Sequence, residues 1–133
     1  MNAIGRLAAG LGLLAAAGCV ATPVQVGRAA YQDNCSACHG ARGTGDGTMA
    51  VFVSGGVPNL RGLAARNGGD FPEAHVVRVI TRVSDLHEGI VAMPDFGALL
   101  DASPTVYTAP DGERIRTDAT VLAIADYLES IQD

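Results

Sequence analysis

The sequence predicts a small all-α domain of three to four helices joined by loops, with one small hairpin across 105–116. Three observations predict it. The stretches 24–38, 70–85 and 117 onward carry small or apolar residues at helical spacing. The run 40–47 holds four glycines in eight residues, which no stable helix or strand tolerates, so it must be a loop. The length of 133 residues suits one small domain and not two.

Charge narrows the function. The net charge is −5, every basic residue is Arg, and there is no Lys. Such acidity argues against nucleic acid as a partner and against a lysine-ringed docking face. An acidic protein is steered instead toward basic patches on its partners.

Residues 1–18 read as an export signal. Arg6 supplies the positive end, and 7–17 form an apolar stretch too short to span a bilayer. Loss of that segment leaves 8 basic and 14 acidic residues, a net charge of −6. Ala16-Ala17-Gly18-Cys19 resembles the lipobox of bacterial lipoproteins, in which the Cys is lipidated and becomes the mature N-terminus; Ala16 stands where Leu is usual. Two readings follow: a lipid anchor on Cys19, or ordinary cleavage near 15–17 with soluble release into the periplasm. Residues 19–25 read as a tether and 26–133 as the domain.

Thr22 and Pro23 read as an N-cap and a first-turn Pro. In the helix that follows, Gly27, Tyr31 and Cys35 lie on one face, and Gly27 lets another helix approach closely.

Cys35-Ser36-Ala37-Cys38-His39 is a C-x-x-C-H sequence, the attachment motif of a c-type haem. Two thiols at this spacing can each add to one vinyl group of the same haem, and the next residue, His39, is placed to ligate its iron. A zinc site would need a second pair of ligands, and the sequence has no further C-x-x-C and no H-x-x-x-H. A redox dithiol would need a βαβ context, which is missing around the motif. A glycine-rich chain with 5% aromatic residues and no Trp buries little apolar area for its length, a shortage that a large flat apolar cofactor would fill. The haem-free polypeptide is therefore expected to be largely unfolded.

The glycine loop 40–47 can lie close against something flat; it lacks the G-K-[ST] ending of a phosphate cradle. Val51, Phe52 and Val53 are expected along one edge of the haem. The carbonyl of Pro58 can accept the second ring N–H of a ligating His, or Pro58 is a plain loop proline. Asp70 and Glu73 have the D-x-x-E spacing of a capping box. The helix it opens is expected to reach about Asp85, with Val76, Val77, Ile80 and Val83 inward and His75 in solvent. Met93, just before Pro94, can present its thioether as a sixth ligand or merely pack; Met49 and His87 are its rivals. Pro110-Asp111-Gly112 is a turn across which 106–108 and 114–116 can pair. The last helix starts near Thr117 or Asp118, and its stripe of Val121, Leu122, Ala125 and Leu128 is the partner for the Gly27/Tyr31 face.

Taken in order, these residues resemble the class I cytochrome c family in its bacterial, mono-haem form. The likeness runs from Gly27 to Gln132 through C-x-x-C-H-G, Pro58-Asn59-Leu60, Met93-Pro94-Asp95-Phe96 and an aromatic, Tyr127, on the last helix. The resemblance implies an all-α fold wrapped around one covalent haem c. It implies His39 and Met93 as axial ligands and the Pro58 carbonyl as the support of the His39 ring. It also implies that the first and last helices cross near Gly27. The stretch 97–117 is longer than a minimal member needs. The function it implies is single-electron transfer in the bacterial periplasm, with no enzymatic activity, by a monomer or a subunit of a redox complex. A haem sensor or peroxidase-like protein with an open sixth position is the rival from another class.

Overall fold

The computed structural model describes residues 20–82, 93–96 and 101–133. The expectations for Cys19, Val83 and His87 lie outside them. Among the described residues, five helices and one hairpin follow in order: α1 (Pro23–Asn34), α2 (Ser36–His39), a 3₁₀ turn (Ala50–Phe52), α3 (Leu63–Arg66), α4 (Glu73–Thr81), β1 (Pro104–Thr108), β2 (Arg114–Asp118) and α5 (Ala119–Ser130). Among the described residues no helix is long and apolar enough to cross a membrane.

α1 opens as its sequence dictates, with Pro23 in the first turn. Thr22 accepts from the Gln25 N–H at 3.3 Å, and Gln25 Oε1 accepts from the Thr22 N–H at 2.9 Å, a reciprocal capping box. One helix was expected over 24–38; the chain instead breaks at Cys35, which closes α1 and opens α2. Polar side chains at the break take up the carbonyls of the last turn: Asn34 Nδ2 donates to Ala30 O at 2.9 Å and Ser36 Oγ to Gln32 O at 2.6 Å.

α1 packs on α5, and their crossing is the centre of the fold. A Cβ on Gly27 would overlap the backbone carbonyl of Ala123, so only glycine permits this approach. Tyr31 and Tyr127 stack beside it with ring centroids 5.2 Å apart and planes tilted by 53°. Val76, Val77 and Ile80 of α4, Ile115 of β2 and Phe96 complete the buried cluster.

The expected capping box at Asp70 does not form. α4 begins at Glu73 behind Pro72, which makes no side-chain cap bond. A residue before proline avoids helical backbone, so Phe71 cannot be the first helical residue. The helix also stops at Thr81, with the Arg82 N–H bonded to Arg78 O, short of the expected Asp85.

The hairpin is present and slightly longer than expected, pairing Pro104 with Asp118, Tyr107 with Ile115 and Thr108 with Arg114. Ile115 points into the core, while Arg78 bridges to Asp111 at 2.7 Å and to Glu113 at 2.6 Å. Arg82 meets Glu113 at 2.9 Å, Tyr107 donates to Glu73 at 3.1 Å, and the Thr81 and Thr117 hydroxyls lie 2.7 Å apart. These contacts fix the hairpin to α4. Asp118 ends β2 and caps α5 by accepting from the Thr120 N–H at 2.7 Å.

Candidate cofactor site

The single turn of α2 gathers Cys35, Cys38 and His39. Its backbone bonds run from His39 N to Cys35 O at 2.9 Å and from Gly40 N to Ser36 O at 2.8 Å. All three side chains are half-buried, and both thiols are free. Cys35 packs against the core cluster.

The carbonyls at the end of so short a helix need partners, and the glycine loop supplies them. Gly45 N donates to His39 O at 2.8 Å, Gly47 N to Cys38 O at 3.2 Å and Met49 N to Ala37 O at 2.8 Å. Gly45 has φ +82°, and a Cβ there would strike the carbonyl of Val57. The loop thereby carries the segment 57–60 against α2, and Leu60 N donates to Gly43 O at 2.7 Å. At the far end, the Gln132 side chain joins α5 to this region, donating to Leu60 O at 2.9 Å and accepting from Ala64 N at 2.9 Å.

This arrangement brings His39 and Pro58 together, with Nδ1 3.4 Å from the Pro58 carbonyl oxygen. An N–H at Nδ1 leaves Nε2 with a lone pair. Burial pushes the His39 pKa below the usual imidazole range, against the upward pull of the Pro58 carbonyl. The ring is then neutral at neutral pH, the form that ligates a metal. Burial, with the neighbouring Cys38 adding to it, pushes the Cys35 thiol up to about 11. A thiol so raised is a weak nucleophile at neutral pH, in keeping with the absence of a βαβ setting around the motif. It keeps both the sulfur and the hydrogen that addition to a vinyl group uses. Among the described residues no group of His, Cys, Asp and Glu is placed to hold a metal ion by itself.

Met93 is half-buried and packs against the core cluster, and Phe96, three residues on, is buried in it. Its rival Met49 is 47% exposed next to α2, and His75 stands in solvent on α4. Val51 and Phe52 are 81% and 76% exposed.

One contributor escaped the sequence reading, which took Tyr31 only as packing. Its hydroxyl is buried and donates to Gly40 O at 2.7 Å. Burial pushes this phenol well above its usual pKa, with Cys35 next in influence, so it stays a donor. No spacing rule in the sequence connects a tyrosine to a carbonyl nine residues on.

A family model for cytochrome c matches residues 24–132, from the first turn of α1 to just beyond the end of α5. The chain belongs to the cytochrome c family. Searches of the curated proteins and of the solved structures returned no match. The small helical fold with its two-stranded hairpin agrees with this membership. Cytochromes c bind haem c covalently and use it to carry electrons, and the chemistry of this site suits that group. Two free thiols, a neutral imidazole with a supported ring and an adjacent apolar core are the donors and surroundings it requires.

Proposed function

We propose that this cytochrome is a single-electron carrier holding one haem c through Cys35 and Cys38, with His39 and Met93 as axial ligands. The observation that carries the reading is the Pro58 carbonyl 3.4 Å from His39 Nδ1, an acceptor that favours the Nδ1–H tautomer, in which Nε2 could ligate iron. When bound, haem supplies the one-electron Fe(III)/Fe(II) couple.

The chain's own residues do the rest. Cys35 and Cys38, one helical turn apart, would hold the haem covalently through their two sulfurs. His39 is held neutral and oriented. Met93, packed against the core cluster, offers a thioether from an apolar border, and such a ligand raises the potential relative to a second His. With both axial positions filled by the chain, no position remains for substrate, and the protein acts as a carrier and not an enzyme.

The carrier works on the periplasmic side of a bacterial membrane, tethered by lipid on Cys19, and meets redox partners through their basic patches. The apolar segment before Cys19 supports the anchor, and the net charge of −6 without residues 1–18 supports basic partners.

Denaturing mass spectrometry tests the attachment. The holoprotein is expected to exceed its polypeptide mass by one haem, and Cys35→Ala with Cys38→Ala is expected to lose both the increment and cooperative thermal unfolding. An increment that survives the double substitution, or a cooperative transition without haem, contradicts the reading.

A further inference from the structure

We propose that Tyr31 is a positioning residue for His39: its buried hydroxyl holds the turn that sets the Pro58 carbonyl against the His39 ring. The inference rests on the reading of His39 as an iron ligand and goes beyond it by naming what tunes that ligand.

The Tyr31 ring is fully buried against Tyr127, and a phenylalanine would fill the same volume. Packing therefore does not account for the oxygen. Burying a hydroxyl is unfavourable unless it is bonded, and this one is bonded to a single place, the carbonyl of Gly40. Gly40 directly follows His39. Its carbonyl also accepts from Gly43 N at 3.1 Å, so Tyr31 clamps the turn 40–43 from inside the core.

The turn leads on to Pro58. Gly43 O accepts from Leu60 N at 2.7 Å, and Gly45 N returns to His39 O at 2.8 Å. The path from Tyr31 Oη through Gly40, Gly43, Leu60 and Pro58 to His39 Nδ1 is a closed ring of hydrogen bonds and short backbone segments. Its last link is also its longest, at 3.4 Å. A hydrogen bond of that length weakens with any further displacement. Without the Tyr31 hydroxyl the turn loses its inner clamp, the Pro58 carbonyl recedes, and the imidazole becomes less basic. A less basic ligand stabilises Fe(III) less, so the reduction potential rises.

The test compares Tyr31→Phe with Tyr127→Phe in the holoprotein. Both keep the aromatic pair, and only the first removes the donor to Gly40. Redox titration and exchange of the His39 Nδ1–H with solvent, followed by NMR in the reduced state, are the two readouts. Tyr31→Phe is expected to move the potential in the positive direction and to speed exchange roughly tenfold, the scale of one lost hydrogen bond. Tyr127→Phe is expected to match wild type in both. If Tyr31→Phe fails to fold, fluorotyrosine at position 31 keeps the shape and strengthens the donor, and is expected to move the potential in the negative direction.

Wild-type values in Tyr31→Phe or in the fluorotyrosine protein, with His39 still ligating, overturn the inference and leave the proposed function standing. Equal shifts in both phenylalanine variants also overturn it, since they mark general packing. A wild-type holoprotein without His39 on the iron overturns both.

Discussion

Gly27 of α1 lies directly against the backbone carbonyl of Ala123 in α5, with no room for a β-carbon between them. This contact brings α1 and α5 close enough for Tyr31 to meet Tyr127. Gly27→Ala must push α1 away, because its neighbour is backbone and cannot rotate aside. A loss of about 1–3 kcal/mol is expected, typical of overpacking a tight core. Thermal denaturation of the holoprotein checks it, with Val26→Ala, at an exposed position of the same helix, expected to stay near wild type.

Asp118 gives the domain an acid limit. Burial works to raise its carboxyl pKa, but hydrogen bonds from Thr120 and the Ser103 and Ala102 backbone outweigh it, and the net effect is a pKa below the ordinary value. Because the folded pKa is depressed, the unfolded chain binds the proton first. The stabilisation is complete above the unfolded value of roughly 3.9 and is lost as pH falls through the folded one. Asp118→Asn keeps an N-cap of equal standing but lacks the charge; Asp118→Ala removes the cap and is expected to lose about 1 kcal/mol at pH 7. Urea unfolding from pH 7 down to pH 3 is expected to show the gap between wild type and Asp118→Ala narrowing toward the acid end.

The place of Cys19 is checked by fractionation. Wild type is expected in the membrane fraction of the producing bacterium, and Cys19→Ala in the soluble periplasmic fraction. A wild type that is already soluble contradicts the lipid anchor and leaves export intact.

Local chemistry made much of the fold legible in advance. Thr22 and Pro23 marked the start of α1, Gly27 and Tyr31 its packing face, and Pro110 to Gly112 the hairpin turn. The Thr22/Gln25 box was written in the sequence as T-x-x-Q, and only its cap residue was noticed. At Asp70 the D-x-x-E pattern misled because Pro72 forbids helical backbone at Phe71, so the proline overrode the cap. The break at Cys35 was hidden because 24–38 keeps helical spacing throughout, while the Ser36 and Asn34 side chains that divert the carbonyls act only once the turn has formed. At the site, C-x-x-C-H spoke through spacing alone. The bond from Tyr31 to Gly40 depends on how a glycine loop folds back over α2, and residue types do not encode that.

The most direct measurement is the absorption spectrum of the holoprotein, oxidised and dithionite-reduced, with Met93→Ala beside wild type and carbon monoxide added to the reduced forms. The account predicts the weak long-wavelength band of methionine-ligated Fe(III) in wild type, its disappearance in Met93→Ala, and carbon monoxide binding only in the variant. A wild type that lacks the band and binds carbon monoxide readily would contradict the account, since an open axial position belongs to a sensor or an enzyme and not to an electron carrier.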